Sequence, residues 1–177
     1  MSPTAPRTDP HVLAPSEGNL VEWSGFGVRF MIDGEEAGGG FALVEHPIAP
    51  RTLAAPLHRH ANEDEYSYVL GGRVGLQLGD RTLEGAPGDL VFKPRGQWHA
   101  FWNPGDEPAR LLEIISPAGF ESYFAEIAPH LSGEGPPDME ALGEIMARYQ
   151  LEMDLESIGP LVERHGLTGA PAPPPGP

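Results

Sequence analysis

Cysteine is absent from all 177 residues, which removes disulfides and thiolate catalysis from consideration. Cations are scarce: 11 Lys and Arg stand against 26 Asp and Glu, a formal charge of −15. Phosphate binding needs clustered Lys and Arg, so this balance argues against a nucleic-acid partner and against an anionic membrane surface. The acidity itself reads as a solubility device. Met1 to Pro15 holds no sustained apolar stretch, and no later run approaches the length that spans a bilayer. The expectation is a soluble cytoplasmic protein.

What the chain has in quantity is glycine (23) and proline (21), which favour turns and short strands over long helices. Four prolines fall in the first 18 residues and five in the last nine. Residues 1–18 are therefore expected as a flexible N-terminal segment and 169–177 as a disordered Pro-rich tail. Between them, residues 19–116 are expected as a strand-rich domain and 117–168 as C-terminal helices.

Strand-like stretches begin near Leu20 and include Val28–Ile32 and Phe41–Val44, with 47–56 expected to be irregular because three prolines interrupt any ladder. Tyr66–Leu70 ends at Gly71-Gly72, and Val74–Leu78 alternates cleanly up to Gly79-Asp80, both hairpin signals. Arg81–Leu83, Leu90–Lys93, His99–Asn103 and Ala109–Ile115 follow, separated by Gly/Pro turns. Ser116-Pro117 reads as an N-cap with proline at the first helical position, opening a helix to about Ala128. A second helix is expected over about Asp138–Met153. Its apolar stripe (Met139, Leu142, Met146, Tyr149) is expected to pack on the barrel exterior or on a partner subunit. The fold class is mainly β, an antiparallel barrel or jelly roll with a C-terminal helical appendage.

Four side chains carry the chemistry: His58, His60, Glu65 and His99. Three imidazoles and one carboxylate combine borderline nitrogen donors with a hard anionic oxygen, a set suited to a divalent transition metal. His58 and His60, two apart, leave the same face of an extended strand. His99 lies far along the chain, so only a folded-over sheet brings it to the others. Alternation sends Phe101 and Asn103 inward with His99, and Ser67 and Val69 inward with Glu65, so these four are candidate pocket lining. Ala100, Trp102, Tyr66 and Tyr68 then face outward. His11, His46, His130 and His165 are read as ordinary polar residues, Arg59 as solvent-facing, and Glu63 and Asp64 as a charged turn.

The stretch from His58 to Gly72 resembles the first cupin motif, with His58, His60, Glu65 and Gly72 at matching positions. The motif's leading glycine is missing, the corresponding region being Thr52-Leu53-Ala54-Ala55-Pro56. Gly88, Pro94, Gly96, His99 and Asn103 match the second motif in full, and fifteen residues separate Gly72 from Gly88. The resemblance implies a single-domain cupin of the quercetin dioxygenase-like group. It further implies one divalent transition metal per chain (Fe, Mn, Ni, Co, Cu or Zn) on His58, His60, Glu65 and His99. By the same resemblance Glu65 acts as both ligand and proton acceptor toward a small aromatic or enol-containing substrate. Rival readings are a non-redox metal-dependent cupin (isomerase, lyase or cyclase) and a non-catalytic small-molecule-binding module. Only about 20 residues precede the first strand, too few for a DNA-binding helical domain. The resemblance also implies a homodimer, with Tyr66, Tyr68 and Trp102 suited to its buried face.

Overall fold

The computed structural model describes residues 9–132 and 137–170. Residues 1–8 of the expected flexible N-terminal segment and 171–177 of the expected Pro-rich tail lie outside the described residues. In chain order the elements are β1 (Leu20–Trp23), β2 (Phe26–Ile32), β3 (Ala42–Ile48), β4 (Leu53–His60), β5 (Asp64–Gly71), β6 (Val74–Leu78) and β7 (Arg81–Gly85). They continue as β8 (Leu90–Lys93), β9 (His99–Trp102), β10 (Ala109–Ser116), α1 (Glu121–Leu131), α2 (Met139–Arg148), β11 (Leu151–Asp154) and α3 (Ile158–His165).

All strand pairings between these elements are antiparallel, and they form two sheets, ordered β1-β2-β3-β10-β5-β8 and β11-β4-β9-β6-β7. The sheets are not joined edge to edge into a closed barrel; the fold is a jelly roll of two facing layers. Between them lies the core, built on Val28, Val44, Val69, Leu76, Leu111 and Ile115. β10 alternates accordingly: Leu111, Glu113 and Ile115 are buried, while Arg110 is exposed.

Three expectations are corrected. Residues 47–56 are largely ordered strand: Pro47 lies in β3 and Pro56 in β4. Both are tolerated because the ladders break beside them. The β4–β9 register shifts between Ala55 and His58, and no β2 partner is paired with Pro47. The first helix starts at Glu121, since Ser116 still belongs to β10 and its hydroxyl donates to the Gly40 carbonyl. The second helix, capped by the Asp138 carboxylate on the Glu140 and Ala141 amides, stops at Arg148. Gln150 takes a left-handed backbone (φ 50°), and Leu151–Asp154 turns back as an edge strand on β4.

The helices wrap the sandwich on two sides. α3 covers the outer face of β4 and β9, where Ile158, Leu161 and Leu167 pack on Leu53, Ala100 and Trp102. Trp102, expected at an exposed dimer face, is therefore buried within the chain, its ring stacked on His165 at 4.0 Å. α1 and α2 close the other end of the core. The stripe of α2 does not pack on the barrel exterior: Leu142 is buried in the main core, with Met139, Met146 and Tyr149 packed against it.

Two glycines make this packing possible. Gly72 has φ 72°, and a side chain there would strike the Ala109 backbone at 2.6 Å. Gly75 on β6 lies flat against the Trp102 indole, which a methyl group would overlap. Gly75→Ala should therefore push Trp102 against α3 and cost about 1–3 kcal/mol of stability. Equilibrium urea unfolding measures this, and an unchanged midpoint would show that the indole is not confined.

Candidate metal centre

The expected donors meet because of strand register. His58 and His60 alternate on β4 with Arg59, which points outward to pair with Glu152 at 2.7 Å and lies 5.0 Å from the Trp98 ring centroid. On the neighbouring β9, His99 is the direct cross-strand partner of His58, and their ring centroids are 4.1 Å apart. Glu65 arrives from the opposite sheet, with Oε1 3.5 Å from His60 Nε2 and Oε2 3.2 Å from His99 Nε2. All four side chains are buried, and one donor atom from each lies within 4.8 Å of the others. Of the acidic turn, Asp64 is taken by Arg95 (2.9 Å), and Glu63 lies 3.9 Å from His60 Nδ1.

The tautomers follow from the second nitrogen. His58 Nδ1 lies 2.8 Å from the Pro56 carbonyl and His99 Nδ1 2.9 Å from the Gln97 carbonyl. A carbonyl only accepts, so both Nδ1 atoms carry hydrogen and each Nε2 turns a lone pair toward the cluster. His99 Nε2 thus faces a carboxylate oxygen at 3.2 Å, lone pair against lone pair, unless a proton or metal ion lies between. His60 Nε2 and His99 Nε2 are buried without a hydrogen-bond partner. This donor set fits a divalent transition metal. Burial, with the neighbouring imidazoles, holds His58 well below the usual histidine range. Burial likewise takes His60 down to about 4 despite Glu65, so both rings are neutral near pH 7.

Two charged residues that sequence reading passed over complete the site. Lys93 on β8 stands directly opposite Glu65 on β5, and Glu113 on β10 directly opposite Ser67 on β5. The Lys93 ammonium, fully buried, lies 2.8 Å from Glu65 Oε2 and donates to Glu113 Oε2 at 2.9 Å. The Ser67 hydroxyl donates to the same Glu113 oxygen at 2.8 Å. Burial alone would push the Glu65 carboxyl up, but Lys93 and the imidazoles outweigh it and hold it well below its ordinary value. Burial depresses Lys93 in the same way, and its two carboxylates more than compensate, raising it. Glu113 goes the other way: burial pushes it up to about 7, offset only in part by Lys93. The signal for both was present as a charge at a core-parity position inside an apolar strand, Val91-Phe92-Lys93 and Leu112-Glu113-Ile114.

Beside the donors is a cavity of about 100 Å³ accessible to the centre of a water molecule, several times what one water needs. Phe26, Phe101, Phe120, Phe124 and Leu142 make much of its wall, so α1 and α2 cover the pocket. Of the expected lining, Phe101 lies on this wall, whereas Ser67, Val69 and Asn103 do not. Ser67 is spent on Glu113 and Val69 is in the apolar core. The Asn103 amide donates to the Ile48, Ala49 and Glu107 carbonyls, because β9 ends at Trp102 and the chain turns into a loop there. His46, read as an ordinary polar residue, is buried on the wall with Nδ1 on the Gly27 carbonyl at 3.0 Å.

Residues 45–115 match the cupin domain family. Among curated proteins it is 29% identical over 80 residues to gentisate 1,2-dioxygenase from Ralstonia sp, covering 45% of this chain and 22% of that one. The chain spans only 22% and 50% of the two curated relatives it matches. Among solved structures, a predicted oxalate decarboxylase from Thermotoga maritima superposes with a TM-score of 0.57 at 20% identity, covering 60% of this chain and 99% of that one. Bacillus subtilis oxalate decarboxylase, described with Mn(II) centres, gives 0.51 at 25% identity, covering 56% of this chain and 28% of that one. These neighbours support the cupin fold and leave the quercetin dioxygenase-like subtype as a proposal. Among the described residues, no helix is long and apolar enough to cross a membrane.

Acid sensitivity follows from the buried imidazoles. His46 and His60 fall from 6.5 to about 4 on folding, His46 mainly through burial. Between those pH values the unfolded chain binds protons that the folded chain refuses, so stability drops as pH falls from 6.5 to 4. Each group contributes up to ~3 kcal/mol to that slope. Glu113, raised from 4.5 to about 7, acts with the opposite sign and loses its contribution as pH rises through 7. The histidines outnumber it, so melting temperatures of metal-free protein in chelator should climb between about pH 4 and 6.5 and slip slightly above. A flat profile over that range would mean the rings protonate inside the fold.

Proposed function

We propose that this cupin is a metal-dependent enzyme, a dioxygenase that acts on a small aromatic or enol-containing substrate bound in the apolar cavity. The observation that carries the reading is a convergent set of three imidazoles and one carboxylate at the edge of an aromatic-walled pocket. His58, His60, Glu65 and His99 would hold one divalent ion, and the ion, when bound, would supply a Lewis-acid site for a substrate oxygen. The chain's own groups do the rest. The neutral His58 and His60 rings offer lone pairs without first losing a proton. Lys93 keeps Glu65 ionised and anchors one of its oxygens, leaving the carboxylate as the proton acceptor nearest the donor cluster. The aromatic wall excludes water and selects a flat apolar body.

The wall also argues about substrate class. Among the described residues it includes no arginine or lysine, and the nearby ammonium of Lys93 is committed to two carboxylates. Apart from an ion held by the four donors, a small dianion such as oxalate would meet no free side-chain cation on this wall, so the apolar lining favours an aromatic body over oxalate. A hydroxylated aromatic fits the wall better, its ring against the phenylalanines and an oxygen toward the four donors.

Protein purified without added metal should contain about one transition metal per chain, and His58→Ala or His99→Ala should lower occupancy at least about tenfold without unfolding the protein. Full metal content in both variants would remove the assignment. Oxygen-electrode traces with flavonols, diketones and hydroxylated aromatics then test the reaction. Uptake supports a dioxygenase, whereas turnover under argon or with zinc would favour the isomerase, lyase or cyclase reading.

The same reading includes a homodimer. The outer face of β5 and of the edge strand β8 exposes Tyr68, Leu70, Leu90 and Phe92, and Phe92 stacks on Tyr66 at 5.0 Å. Leu90→Glu with Phe92→Glu should convert dimer to monomer in sedimentation velocity, and a wild type that already sediments as a monomer would discard this pairing.

A further inference from the structure

Glu113 is an unusual wall for an apolar pocket. It sits in the middle of β10 between Leu111 and Ile115, on the same buried face, and is itself 1% exposed. Its two oxygens have different fates. Oε2 receives both the Ser67 hydroxyl and the Lys93 ammonium, which fixes the carboxyl plane. Oε1 is buried and has no hydrogen-bond partner among the described residues. A buried acceptor left unmatched is destabilising, and a ligand that donates a hydrogen there relieves it.

We propose that Glu113 Oε1 is a second anchor of the pocket, accepting a hydrogen bond from a neutral hydroxyl of an aromatic substrate whose other oxygen is directed to the His58, His60, Glu65 and His99 cluster. This deepens the metal-dependent reading and rests on it for the position of that other oxygen. The Glu113 contact itself depends only on the cavity.

The surrounding groups narrow the ligand class. Glu113 and Glu65 share a single buried ammonium, so a carboxylate or phosphate approaching Oε1 meets like charge, while a hydroxyl does not. Of the other polar side chains on the wall, His46 donates from Nδ1 to the Gly27 carbonyl, which leaves its Nε2 a neutral acceptor. Tyr123 presents a hydroxyl that can donate or accept, so it selects for no one polarity. Glu113 differs from both in presenting a buried carboxyl oxygen with no partner among the described residues, so it discriminates a hydrogen donor from an ether or a methyl. A substrate with two hydroxyl oxygens on an apolar ring meets both requirements, one toward each end of the pocket. The elevated Glu113 carboxyl, at about 7, is consistent with an acceptor that burial leaves short of partners.

The test uses matched probes: catechol, resorcinol and hydroquinone, each beside its monomethyl ether. Binding is measured by isothermal titration in mildly alkaline, oxygen-free buffer on both metal-loaded and metal-free full-length protein. With wild type, at least one diol should bind about tenfold or more tightly than its ether. Glu113→Gln keeps an oxygen for Ser67 and Lys93 but presents NH2 where Oε1 stood, so the preference should vanish or reverse while metal content stays unchanged. A preference that survives in E113Q, or its absence from every pair in wild type, overturns the proposal. Should E113Q fail to fold, the neutral pair Lys93→Met with Glu113→Met replaces it with the same expected loss of preference. If wild type binds no metal yet E113Q still abolishes the preference, the metal reading fails and the Glu113 anchor stands.

Discussion

The ammonium of Lys93, shared between Glu65 and Glu113 inside an otherwise apolar sandwich, is the interaction on which the interior arrangement depends. Two carboxylates in a low-dielectric layer cost several kcal/mol each unless compensated, and removing the partner of such a pair typically costs 3–5 kcal/mol. One ammonium can neutralise one of them. Glu65 takes that role, held low by Lys93, and Glu113 is left to rise to about 7. The asymmetry follows from position: Glu65 also lies among three imidazoles, whereas Glu113 has only Ser67 and Lys93. Two adjacent rungs of β5 produce it, since Glu65 pairs across to Lys93 and Ser67 across to Glu113.

That polar cluster is affordable only because the layers around it are dry and closed. Phe120 stands edge-on to His60 at 4.3 Å and starts a run of aromatic contacts through Tyr123 and Phe124 along α1. Lys93 itself lies 5.0 Å from the Phe101 ring centroid, a cation over an aromatic face. Electrostatic interactions strengthen in such surroundings, and so does the penalty for any group left without a partner. The pocket is therefore a place where a few polar atoms discriminate strongly among ligands that share the same apolar body.

Much of the donor set was legible because its spacing is local. His-x-His on a strand needs only period-two alternation to put both rings on one face, and Glu65 follows one short turn later. His99 required the second motif, with Gly88, Pro94 and Gly96 before it. Lys93 and Glu113 were missed although each is a lone charge at a core-parity position, a pattern that means either a buried pair or a wrongly assigned face. Only the partner on another strand distinguishes the two. Asn103 and Val69 went astray for a related reason: alternation gives the side of the sheet, and that side contains both cavity wall and closed core. Helix ends were misplaced where a backbone choice at one residue, Gln150, overrode the continuing apolar stripe.

By itself the sequence determined which chemistry is possible: no thiol, few cations, short strands, and a nitrogen-rich donor set at strand spacing. These are properties of composition and of neighbours along the chain, which alternation and turn stereochemistry translate directly into faces and bends. Tertiary structure decided what those donors touch. That Lys93 lies opposite Glu65, that Glu113 is bound through one oxygen and unpartnered at the other, and that α1 and α2 roof the pocket all depend on pairings between residues dozens of positions apart. Such pairings are set by strand register and sheet order, which no local pattern encodes.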